Sequence, residues 1–111
     1  MTTIDEARRL ALALPETTEH DHHGMNSFRV RGKIFATVPD DDHLRIMVDE
    51  DAILEAVAES PNNCEAFYWG KRPACVVVTL PTASADMIRE LVTDAWRRKA
   101  PKSLAREFGE P

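Results

Sequence analysis

Metal chemistry in this chain could start at His20-Asp21-His22-His23. Histidines two apart on an extended segment can share a metal, and Asp21 or Glu19 would add a carboxylate. No distant cluster completes such a site. Cys64 and Cys75 stand alone, and His43 lies beside the acidic turn Asp40-Asp41-Asp42. The segment therefore reads as a solvated loop with adventitious metal affinity, and no metal is expected. Nucleophilic catalysis is no better supported, because no Ser-His-Asp or Cys-His arrangement sits in a nucleophile elbow. The carboxylates of Asp40 to Asp42 and Asp49 to Asp51 lie in turns and helix starts, where they serve as solvated caps. The four glycines, Gly24, Gly32, Gly70 and Gly109, are scattered and form no phosphate loop. These patterns point away from an enzyme and from a bound cofactor.

The other residues that could do chemistry are cations and aromatics at alternating positions. Suppose Phe28, Val30, Ile34, Ala36, Val38, Leu44, Ile46 and Val48 face a core. Strand alternation then sends Arg29, Arg31, Phe35, Thr37, Arg45 and Met47 to the opposite face, with Lys33 at the adjoining turn. Guanidinium groups beside an aromatic suit a nucleic-acid surface, which needs phosphate neutralisation and a stacking or wedging group. The expected contacts to double-stranded DNA are Arg29, Arg31, Lys33 and Arg45, joined by Lys71 and Arg72 at a second basic turn. Arg, Met and aromatics are also enriched at protein interfaces. The alternative is a protein-interaction or homodimer surface built on Phe35 and Met47. Against both stands an ordinary half-exposed antiparallel face.

The elements that must position these residues can be read in order. Ile4, Ala7, Leu10, Ala11 and Leu14 recur at helical spacing, with Thr3 as cap and Pro15 as stop. Glu16 to Gly24 is polar and reads as a loop. Three antiparallel strands follow between Asn26 and Val48, reversed first at Arg31-Gly32-Lys33 and then at Pro39 to Asp42. Ile53, Ala56 and Val57 mark a short helix. Ala66-Phe67-Tyr68-Trp69, the turn Gly70 to Pro73, and Cys75 to Leu80 form a second hairpin. Ile88, Leu91, Val92, Ala95 and Trp96 mark a long helix, and Ser103 to Phe108 adds one more turn. This order predicts an α+β fold, with one antiparallel sheet from two hairpins and helices mainly on one face.

A chain of 111 residues is one domain by length. Its 43% apolar and 30% charged composition suits a soluble globular protein. No run is long enough to span a membrane, and Met-Thr-Thr-Ile-Asp-Glu lacks the signal-peptide pattern, so a cytoplasmic location without disulfides is expected. The net charge of −5 means that any grip on DNA must come from local cations.

Ser27 through Ala36, preceded by His23-Gly24, resembles the signature hairpin of the MmcQ/YjbR family. Leu14-Pro15-Glu16 is similar to the family's opening. Leu91 through Ala95-Trp96-Arg97 into Ala100-Pro101-Lys102 is similar to its last helix and terminal Pro-Lys. The resemblance covers about the whole chain. It implies an α+β fold of the secretion-chaperone-like kind. It also implies DNA binding, by likeness to the double-wing domain of a phage transcription activator, and it supplies no catalytic residues. In one departure, Pro73-Ala74-Cys75 stands where the family often places Trp.

Overall fold

The computed structural model describes residues 2–22 and 24–109, apart from the side chain of His22. The first helix, α1, spans Ile4–Leu12. The Thr3 hydroxyl accepts the Glu6 N–H at 3.2 Å, and Asp5 and Glu6 suit the positive end of the helix dipole. Six strands follow the expected hairpins with one addition: β1 (Thr17–His22), β2 (Met25–Val30), β3 (Lys33–Asp40), β4 (His43–Ile46), β5 (Cys64–Trp69) and β6 (Arg72–Thr79). They form a single sheet in the order β1-β2-β3-β4-β6-β5, with every neighbouring pair antiparallel. Helices α2 (Glu50–Glu59), α3 (Ala85–Lys99) and α4 (Lys102–Phe108) complete the chain. The α+β architecture expected from the sequence is the one observed.

One core lies between the helices and one face of the sheet. Phe28, Phe35, Leu44, Ile46, Val76 and Val78 rise from the strands to meet Ile53 of α2 and Ile88, Val92 and Trp96 of α3. Ala7 and Ala11 of α1 are small and fully buried, which lets α1 pack closely beside α3. Trp96 satisfies its buried indole N–H by donating to the Pro15 carbonyl at 2.9 Å, fixing the chain that leaves α1. Arg8 of α1 donates to the Glu19 carboxylate of β1 at 3.0 Å, and Asn26 donates to the same group at 2.9 Å. Among the described residues, no helix covers the opposite face of the sheet.

Two expectations need correction. The polar segment from Glu16 to Gly24 is not a loop. Most of it is β1, an edge strand that pairs with β2 from Thr17↔Val30 to His22↔Met25. Phe35 does not face outward. Phe28 pairs with Ala36 and Arg29 with Ile34, so Phe35 is the extra residue of a β-bulge. The bulge reverses the alternation, burying Phe35 fully and sending Ile34 to the open face.

Both hairpins share one plan. In the first, Arg31 and Gly32 both take positive φ, 50° and 83°, as a two-residue type I′ turn demands. In the second, Gly70 alone of its two turn residues is positive, at 66°. Each turn is followed by two paired positions and then one bulged residue, Phe35 in β3 and Ala74 in β6. The sheet's outer edges differ: β1 is polar, whereas β5 exposes Phe67, Tyr68 and Trp69 in sequence. Among the described residues, no helix is long and apolar enough to cross a membrane.

Candidate nucleic-acid interface

Strands β3 and β6 run in the same direction with β4 between them, so both hairpin turns project from one end of the sheet. Lys33 begins β3 there, and Lys71 and Arg72 stand at the neighbouring tip. The C-terminal end of α3 reaches the same end, where Arg98 donates to the Met47 and Val48 carbonyls at 3.1 and 3.2 Å. Lys33 and Arg98 both act on Lys99; burial first, and then these two positive charges, lower the Lys99 pKa. The acidic turn Asp40 to Asp42 closes the far end of β3, roughly 25 Å away at about 3.3 Å per residue. His43 and the Asp42 N–H both donate to the Asp40 carboxylate, at 2.7 and 2.9 Å, and they hold its pKa below the usual range.

The expected cations are differently employed. Arg31 donates to both oxygens of Glu16, at 2.7 and 2.9 Å, so its charge is matched by a carboxylate. Among the described residues, Glu16 and Arg31 are also the non-glycine residues with positive φ, 53° and 50°. Arg29 lies half-buried on the open face and donates to the Ser27 hydroxyl at 3.2 Å. Lys33, Lys71 and Arg72 are exposed and enter none of the ion pairs found among the described residues. Trp69 precedes that second tip and is 81% exposed, the most exposed large apolar side chain described.

Between the bases of the two hairpins the open face forms a groove of about 420 Å³. Ile34 and Met47 line it on one side, Phe67 and Trp69 on the other, and Ala74 and Cys75 contribute small surfaces. Arg45 enters this apolar setting from β4. Its guanidinium carbon lies 4.8 Å from the centre of the Phe67 ring, a cation–π contact. Its Nε is buried without a hydrogen-bond acceptor. Burial pushes the neighbouring Cys75 thiol up, and the Arg45 charge pulls it down more weakly.

The YjbR family model matches residues 12–98. The chain belongs to the YjbR family. A crystal structure of the Deinococcus radiodurans protein DR2400, with a DUF419 domain, is similar at a TM-score of 0.73 and 24% identity, covering 100% of this chain and 91% of that one. At that identity the likeness speaks for the fold alone. No curated protein matches the chain.

In this YjbR domain the structure gathers Arg45 and Met47 into the groove, and Lys33, Lys71 and Arg72 at the sheet end. It removes Phe35 from the surface altogether. Sequence reasoning missed Ile34, Phe67, Trp69 and Cys75 as groove residues. The alternation of Glu65, Phe67 and Trp69 along β5 was the available signal for two of them. The histidine segment falls partly on β1, where the Thr18 hydroxyl and His20 Nε2 are 2.9 Å apart. Among the described residues no three His, Cys, Asp or Glu side chains converge as metal ligands. His23 and the His22 side chain lie outside the described residues.

Proposed function

We propose that this YjbR domain is a non-enzymatic binder of duplex DNA that presents its hairpin end to the phosphate backbone. The observation that carries this reading is the cation cluster at the hairpin end. Lys33, Lys71, Arg72, Arg98 and Lys99 gather there, beside Glu16, which is matched by Arg31, and Asp49 to Asp51 at the start of α2, while Asp40 to Asp42 lie at the far end of the sheet. A molecule of net charge −5 can then meet a polyanion with its cations forward and its acidic turn away. Trp69, beside the second tip, supplies an apolar wedge of the kind that minor-groove proteins insert between base steps. Burial raises the pKa of the Cys75 thiol, which disfavours a reactive thiolate in the groove.

A gel-shift titration over salt tests the reading. Weak, salt-sensitive binding is expected, with Lys71→Ala and Arg72→Ala each lowering affinity and reducing the log–log salt slope by about one. Arg31→Ala should change the slope less, because Glu16 already neutralises Arg31. Trp69→Ala should weaken binding at an unchanged slope. One observation favours a second reading, a protein interface: Phe67, Tyr68 and Trp69 are exposed in sequence on an edge strand, at 39%, 52% and 81%. No gel shift at low salt, together with a dimer that Trp69→Asp or Met47→Asp converts to monomers, would transfer the surface to that role.

A further inference from the structure

The groove between the hairpins has a chemistry that phosphate contacts at the hairpin end do not use. Its walls are apolar and soft, with two methionines, Met25 and Met47, facing two aromatics, Phe67 and Trp69. Into it comes one full positive charge with no carboxylate in ion-pair reach among the described residues. Among the described residues, Arg45 Nε is a buried side-chain donor without an acceptor, set too deep for a ligand in the groove to touch. An acceptor entering the groove would instead meet the terminal nitrogens of the guanidinium, which no carboxylate among the described residues engages. A row of phosphates would call for several cations, and Arg45 is the sole Lys or Arg among the groove residues.

We propose that this groove binds a small monocarboxylate with an aromatic or branched apolar body. Arg45 receives the carboxylate, and the walls enclose the body. The guanidinium carbon lies 4.8 Å from the centre of the Phe67 ring, and a carboxylate would meet the paired N–H groups of the terminal nitrogens. That is the fork geometry a carboxylate matches. One cation neutralises one negative charge, so a monocarboxylate fits where a phosphate monoester would bring an unmatched second charge. The volume of about 420 Å³ lies within the range of small-ligand sites. Trp69 rims the site and reports on it, whereas Trp96 is buried in the core. The site shares Trp69 with the proposed DNA wedge, but its test requires no DNA.

The test is an NMR titration of the intact, nitrogen-labelled chain with hydrocinnamate, hydrocinnamide and phenylpropylamine. The signals followed are the Arg45 Nε–H and the Trp69 indole N–H. Hydrocinnamate should give saturable shifts at both. The amide and the amine should bind at least about tenfold more weakly, because a charge-assisted hydrogen bond is lost. Arg45→Met should abolish saturation while leaving the core signals in place, and Arg45→Lys should retain weaker binding. If Arg45→Met fails to fold, Arg45→Lys together with the amide comparison decides the matter. Equal binding of the amide would overturn the proposal, as would shifts mapping away from the groove, saturation unaffected by the Arg45 variants, or no saturable shift at millimolar ligand. No DNA is present, so a failed gel shift leaves this result standing.

Discussion

Replacing Arg45 by methionine should make the protein more stable, although it removes the one cation of the groove. Two effects oppose each other. The substitution eliminates a buried Nε that has no acceptor, a deficit of about 1–3 kcal/mol. It also forfeits the cation–π contact with Phe67, worth about 0.5–1 kcal/mol. Methionine fills much of the space of the arginine stem and suits the neighbouring Met25 and Met47. The balance favours the variant by about 1 kcal/mol, roughly 4–6 °C in Tm for a chain of 111 residues. Urea denaturation with an unchanged m-value and a raised midpoint would agree. A double-mutant cycle with Phe67→Ala should show coupling of about 0.5–1 kcal/mol. A stability lowered by about 1 kcal/mol or more would refute the account of Arg45 Nε as a donor without an acceptor, and a cycle with no coupling would refute the cation–π contact.

Three further outcomes are expected. Phe35→Ala should destabilise by about 3–5 kcal/mol in urea denaturation, whereas Ile34→Ala on the open face should cost far less; the reverse order would remove the bulge. Glu16 has its pKa held below 4.5, chiefly by the hydrogen bond from Arg31 and also by its charge, against a desolvation that raises it. Its contribution to stability is therefore present above about pH 4.5 and lost as pH falls through the lowered native pKa. In Arg31→Ala an NMR titration of the Glu16 carboxyl should return towards 4.5. Trp96→Phe leaves the Pro15 carbonyl without its indole donor and opens space beside Phe108, which packs 5.0 Å from the Trp96 ring. A loss of roughly 1–3 kcal/mol should follow, measured by chemical denaturation.

The strands that were easy to read are those with one face pressed on the core. Phe28 and Val30, Leu44 and Ile46, and Val76 and Val78 all alternate cleanly and are all buried. The α3 stripe was equally plain, because Ile88, Val92, Ala95 and Trp96 meet the sheet at helical spacing. Strand β1 was illegible because it borrows its order from β2. Its own residues are polar on both faces, and Glu19 turns inward only because Arg8 and Asn26 receive it. The bulge at Phe35 was illegible for another reason. Ile34, Phe35 and Ala36 are all apolar, so nothing in their sequence marks where the alternation slips by one. The groove required knowing that β4 would lie between β3 and β6, a pairing of distant segments that no local pattern encodes.

The two unlike edges of the sheet set a limit on assembly. An unpaired strand edge invites another strand, and natural sheets guard theirs with charges, prolines or bulges. Here β1 is guarded by Glu19 and Asp21, while β5 ends in three adjacent aromatics and carries only Glu65 as a charge. Strand addition at β5 by a second copy would consume the receptive edge of both chains. What remained outermost would be two copies of β1, each bearing carboxylates and histidines. Growth of that kind terminates at a closed pair instead of running on into a fibre, because the chain has one receptive end and one that repels.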